Sequence, residues 1–198
     1  LTNGNRSGIG KSLLVQNASL IATGEECTGS YPVTDEECRK RISTAIELKK
    51  PVELFDNVPN DGSFGHPSLD AMLTSRNWLD RKLGHSEQIG GRVLTVFVAT
   101  GINVPNDPSS DIQRRLVAIC LDHASETDPT TRSDFVIGDD DALKRLIRRD
   151  RGKYVGALLT ILRGYAVSGE TVPLPPFGSY PEWSKVVREP AAWITGHD

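Results

Sequence analysis

Apolar and polar positions fall into blocks along this chain, and the period changes from block to block. From Lys11 to about Ile21, Leu13, Leu14, Ala18 and Ile21 recur at helical spacing, and Gly24 ends the run. Tyr31 to Val33 is a short strand candidate. Thr34 and Glu37 stand three apart and fit a capping box. They predict a helix to about Leu48 with Cys38, Ile42, Ala45 and Ile46 on its apolar face. Pro51 then sets a strand, Val52 to Asp56. Residues 57–66, rich in Asn, Asp, Gly and Pro, read as loop. Ser68 to Leu73 reads as a short helix, and the polar segment Thr74 to Gly91 as a loop or short hairpin.

Val93 to Val98 is a near-continuous apolar run, as in a strand buried on both faces of a parallel sheet, and it leads into Thr100-Gly101-Ile102-Asn103. After a Pro/Asp/Ser loop, Arg115 to Leu121 reads as another buried strand. Residues 123–138 are polar. Asp139 to Arg149 then has acids first and bases later, which suits a helix dipole. Gly152 is expected to break that helix, and Tyr154 to Val167 to form a second one burying Val155, Leu158, Leu159 and Leu162. Pro173 to Pro176 reads as a linker, and Pro181 to Ile194 as a last helix with Trp183 and Trp193 in its core. Strand–helix alternation followed by helices predicts an α/β core over 1–122 and a helical lid over 123–198.

Composition narrows the classes. With 37% hydrophobic and 25% charged residues among 198, this is ordinary globular material. A net charge of −3 argues against a wholesale nucleic-acid coat. No apolar run reaches the ~18 residues of a membrane span, and no signal peptide is visible, so no membrane partner and a cytoplasmic location are expected. Cys27, Cys38 and Cys120 are too few and scattered for a disulfide framework or a cysteine zinc site, and the histidines show no ligand spacing. Only Leu1 and Thr2 precede the first turn, so the chain reads as a piece of a longer protein, or a truncated reading frame, with its first strand largely missing.

The chemistry concentrates in Asn5-Arg6-Ser7-Gly8-Ile9-Gly10-Lys11-Ser12, followed at once by Leu13. Gly8 and Gly10 let the backbone curl until its N–H groups face inward. Lys11 reaches β- and γ-phosphates, and the Ser12 hydroxyl ligates Mg²⁺. The helix that follows adds its positive end. The pattern departs from G-x-x-x-x-G-K-[ST] at Asn5, where glycine is usual; Asn tolerates positive φ better than most residues. Nucleotide hydrolysis also needs an acid at the end of a neighbouring buried strand, and Asp56 fits. It needs a polar residue at the end of a third strand to orient water, and Asn103 fits. An arginine must meet developing charge, for which Arg114 and Arg115 are candidates. Lys144, Arg145, Arg148 and Arg149 share one helical face that is a candidate DNA contact or simply a solvated surface.

Together these pieces resemble the AAA+ ATPase module of phage, prophage and plasmid replication proteins, including primase–helicase polypeptides, and they are similar to superfamily 3 helicases. Phe55-Asp56-Asn57-Val58 matches Walker B, and Ala99-Thr100-Gly101-Ile102-Asn103 matches sensor 1. Further matches are Leu73-Thr74 through Trp78, Asp80-Arg81, Leu83-Gly84, Asp111 through Arg114-Arg115, Leu121-Asp122, Leu159 through Arg163, and Gly178-Ser179-Tyr180 through Trp183-Ser184. The resemblance implies an ATP- and Mg²⁺-dependent motor on DNA, usually a self-associated ring, with flanking primase or other replication domains. It implies Arg114 or Arg115 as a finger acting in trans and Arg163 as a lid sensor. Asn57 stands where many such proteins have a glutamate that polarises water, so the catalytic base is not identified, and Ile102 stands where a second polar residue is expected. Two alternatives stay open: an ATP-dependent switch or assembly module with little turnover, and a P-loop phosphotransferase on a small substrate.

Overall fold

A computed structural model describes residues 1–61, 64–81, 88–105, 112, 115–124, 128–133, 135–175, 177 and 180–196. Of the features expected above, Leu83, Gly84, Asp111, Arg114, Pro176, Gly178 and Ser179 lie outside the described residues. In chain order the elements are β1 (Thr2–Gly4), α1 (Lys11–Thr23), α2 (Asp35–Glu47), β2 (Val52–Val58), α3 (Pro67–Thr74), β3 (Asn77–Arg81), β4 (Gln88–Arg92), β5 (Val96–Ile102) and β6 (Ile119–Leu121). A 3₁₀ turn at Pro129–Thr131 leads to α4 (Asp140–Ser168). Then follow α5 (Pro181–Trp183), a π-helical turn at Ser184–Arg188, and α6 (Glu189–Thr195).

The core is α/β. Four strands pair in parallel in the order β2-β5-β1-β6, and β3 and β4 form a separate antiparallel hairpin. Side chains leave alternate faces of β2. Leu54 and Val52 pack with Val15 of α1, Cys27 and Val98, while Phe55 and Val58 pack with Cys38, Ile42 and Ile46 of α2 and Leu69 and Met72 of α3. One helical layer therefore covers each face, as period-two strands between amphipathic helices require. Each fully buried side chain such as Ile42, Phe55 or Met72 contributes about 1.5–3 kcal/mol.

The helix ends follow local chemistry. Gly24 closes α1 in a left-handed conformation and donates its N–H to Leu20 O. Thr34 caps α2 by accepting from Glu37 N–H at 3.2 Å, and the Glu37 carboxylate accepts from Val33 N–H at 3.0 Å.

Five expectations need correction. Tyr31 to Val33 is not a strand; its link to the sheet is Tyr31 N–H donating to Asp56 O at 2.8 Å. The strand expected over Val93 to Val98 runs instead over Val96–Ile102, because its ladder partner begins at Val52. The buried strand expected from Arg115 is observed over Ile119–Leu121, where among the described residues it pairs with β1 alone and lies at the edge of the sheet. The three residues of β1 are paired on both sides.

Gly152 does not break α4, which is one continuous helix of 29 residues. An interior glycine costs only about 1 kcal/mol relative to alanine. Arg151 offsets that by tying α4 to α1, donating from Nε to Ile21 O at 2.8 Å and from a terminal nitrogen to Ala22 O at 2.9 Å. The fifth correction follows from the fourth. The far half of α4 meets α6, where Gly164 and Tyr165 lie against Trp193, but Leu158, Leu159 and Leu162 are 54%, 60% and 37% exposed and form no buried stripe. Among the described residues no helix is long and apolar enough to cross a membrane.

Candidate functional site

The loop after β1 and the first turn of α1 line a cavity of about 900 Å³ at the C-terminal ends of the parallel strands. Gly8, Ile9, Gly10, Lys11, Ser12 and Leu13 all face it. Gly8 and Gly10 have φ of 75° and 91°, the left-handed region that glycine enters without strain. Gly10 is the N-cap residue of α1 and supplies no side-chain cap, and the first turn holds no acid, so the positive end of this helix is left for another acceptor.

Asn5 departs from the expectation in an informative way. It is not among the residues with positive φ. The close approach that the loop needs is made one residue earlier: a Cβ on Gly4 would lie 2.9 Å from Lys11 Cδ and collide with Ile9 Cδ1. The Asn5 side chain is thereby freed for another task. Its Nδ2 donates to an Asp122 carboxylate oxygen and to His123 O at 3.3 Å, and its Oδ1 accepts from His123 N–H at 3.1 Å. The loop is thus latched to the end of β6.

Asp56 lies next to the foot of the loop. Ser12 Oγ donates to Asp56 Oδ1 at 2.8 Å, across 44 residues of sequence. The acid strand does not neighbour the loop strand, however: β5 runs between β1 and β2. That interposed strand brings in a residue the sequence reading left without a role. Thr100 Oγ1 donates to Asp56 Oδ1 and accepts from Asn57 N–H at 3.2 Å. The register explains the contact, because Phe55 pairs with Ala99 and Val58 with Gly101, leaving Asp56 and Asn57 opposite Thr100 alone. This bulge turns the acid toward the loop, and Asn57 takes the strain with φ of 64°. The signal for Thr100 was present as a hydroxyl inside an otherwise apolar strand.

Burial pushes the Lys11 ammonium below its ordinary pKa, and nearby Asp56 partly restores it. Its Nζ donates to Arg6 O at 2.9 Å. Asn103 reaches the rim of the loop, with its N–H donating to Gly4 O at 2.9 Å and its Nδ2 to Asn5 O at 3.4 Å, but it is Thr100 that lines the cavity. Arg115 precedes β6, near Val117, whose carbonyl accepts from the Leu1 ammonium; that is the end of the sheet opposite the loop. Arg114 lies outside the described residues. Arg163 is not at the site. With α4 unbroken, it stands about 35 Å along the helix from Asp140, the α4 residue that does line the cavity.

The basic run on α4 is engaged within the chain. Lys144 and Arg148 pair with Glu26 at 2.6 and 2.5 Å, and Arg149 and Lys153 pair with Asp150 at 2.7 and 3.0 Å. Cys27 and Cys38 are buried thiols, and Cys120 is exposed. Two further lining residues, Asn17 and Phe135, carried no sequence signal; among the described residues, Asn17 Oδ1 is buried without a hydrogen-bond partner.

Two hard oxygens side by side, Ser12 Oγ and Asp56 Oδ1, suit Mg²⁺, which usually takes one or two protein ligands and completes its shell with phosphate and water. Among the described residues no cluster of three or more His, Cys, Asp or Glu offers an all-protein metal site. Compared with protein-family models, curated proteins and solved structures, the chain matches none of them, and its function rests on the residues themselves.

Proposed function

We propose that this chain is a P-loop ATPase of AAA+ type, binding ATP with Mg²⁺ and hydrolysing it to act on DNA in the replication of a phage or other mobile element. The observation that carries the reading is the Ser12–Asp56 hydrogen bond at the foot of a glycine-rich loop. It joins the loop hydroxyl to a remote strand-end acid where a phosphate-bound cation is needed.

The roles follow from position. Backbone N–H groups of Gly8 to Leu13 and the Lys11 ammonium hold the phosphates. Ser12 and Asp56 hold Mg²⁺, which supplies charge neutralisation on the phosphoryl oxygens. Thr100 fixes the Asp56 carboxylate, and Asn103 braces the loop. Arg115 is not among the residues that line the cavity of its own loop, so a finger role for it requires a neighbouring copy. The DNA role, the ring and the flanking replication domains rest on the motif resemblance. The α4 basic run stays a candidate DNA contact in this reading, because four of its basic side chains share two carboxylates, Glu26 and Asp150, and keep a net positive charge.

One observation favours a slower device. Asn57, lining the cavity beside Asp56, carries an amide where a general base would be needed. An ATP-dependent switch with little turnover is therefore the second reading.

The test is Mg²⁺-dependent ATP hydrolysis with and without single-stranded DNA, with Lys11→Ala as control. DNA-stimulated turnover lost in Lys11→Ala supports the motor. Tight ATP binding without turnover leaves the switch. Absence of ATP binding ends both.

A further inference from the structure

The cavity that holds the phosphate loop is electrically polar. At one end are Lys11 and the amino terminus of α1; toward β6 and α4 its wall carries the carboxylates of Asp122 and Asp140. Lys11 and the helix end draw phosphates to the first region, while the Asp140 carboxylate can accept from hydroxyl and amino donors. The same wall includes Pro129, Arg132 and Phe135. The Arg132 guanidinium lies over the Phe135 ring at 5.1 Å from its centroid, yet the phenylalanine remains 52% exposed. The segment lies against the loop, since a Cβ on Gly8 would meet Thr130 Cγ2 at 2.6 Å.

We propose that Phe135, backed by Arg132, is the stacking platform for the purine base of the nucleotide whose phosphates occupy the Gly8–Ser12 loop. The proposal rests on the phosphate-loop reading and extends it to the other end of the ligand. Arg132 polarises the ring it covers, and the base stacks on the accessible aromatic surface. Asp140 accepts from ribose hydroxyls or from the base.

The test compares ATP with inorganic tripolyphosphate, which has the charge but no base, by calorimetric titration of the whole chain with Mg²⁺. Phe135→Ala is expected to weaken ATP about tenfold, the scale of one base–aromatic stack, and to leave tripolyphosphate unchanged. Phe135→Trp is expected to keep ATP affinity, with its fluorescence quenched by ATP and not by tripolyphosphate, which also guards against a folding defect in the alanine variant. Unchanged ATP affinity in Phe135→Ala, or equal loss for both ligands, overturns the platform. Lys11→Ala should weaken both ligands, and that result checks the loop separately. A wild-type chain that binds tripolyphosphate and ATP equally leaves the loop standing and removes the platform, whereas one that binds neither removes both.

Discussion

Asn5 and His123, 118 residues apart, hold each other through two hydrogen bonds: His123 N–H donates to Asn5 Oδ1 at 3.1 Å, and Asn5 Nδ2 donates to His123 O at 3.3 Å. A residue that departs from the usual loop pattern is thus a latch between the glycine-rich loop and the end of β6. Asn5→Ala should remove the latch and cost about 1–3 kcal/mol, a drop of several degrees in Tm. Asn5→Asp should cost more, because it places a second carboxylate beside Asp122. Thermal unfolding of both variants at neutral pH checks the order.

Thr100 couples the acid to the bulge. Thr100→Val keeps the shape of this buried residue and removes the hydroxyl shared by Asp56 and Asn57. The expected result is a several-fold rise in the Mg²⁺ concentration needed for half-maximal ATP binding, with ATP affinity at saturating Mg²⁺ nearly retained. A Mg²⁺ titration at fixed ATP measures it.

Asn57→Glu supplies a carboxylate base beside Asp56. General-base catalysis contributes typically 10²–10⁴-fold, so turnover should rise about a hundredfold if the base is what the site lacks. The substitution also puts glutamate at a φ of 64°, at a cost of about 1–2 kcal/mol. Single-turnover hydrolysis, with Tm measured alongside, separates the two effects.

The α1–α4 contact makes a pH prediction. The Lys144 ammonium, with Arg148, holds the Glu26 carboxyl below its ordinary value of 4.5. A depressed carboxyl stabilises the fold above its unfolded pKa and loses that contribution as pH falls through its folded pKa. Lys144→Met should therefore lower Tm at pH 7 and lose its effect at the acid end of the range, below pH 4.5. Arg151→Ala, which removes two carbonyl caps from α1, should cost about 1–3 kcal/mol with little pH dependence.

The thiols differ in reach. Burial pushes the Cys38 thiol up to about 12 and raises Cys27, so neither forms a thiolate at neutral pH. Cys120 is exposed and lines the cavity beside the Gly8–Ser12 loop. Iodoacetamide on the native chain should label Cys120 first, and MgATP should slow that labelling. Mass spectrometry of the labelled peptides decides it.

What the sequence by itself determined was local. The Gly8–Gly10 loop with Lys11 and Ser12, the Thr34 helix cap, the acid-first start of the helix after Asp139 and the α2 core face each depend on neighbours within a few residues, where φ preference, capping and periodicity act. Tertiary structure decided the rest. The register against β1 places β6 at Ile119–Leu121. α4 is continuous because α1 supplies the contacts that offset Gly152, and the same continuity carries Arg163 away from the site and leaves Leu158 and Leu159 exposed. The Asp56 carboxylate meets Ser12 because β5 runs between their strands and Thr100 sits opposite a bulge. Pairings across 44 or 118 residues leave no periodic trace in a single chain; only the packed sheet brings those groups together.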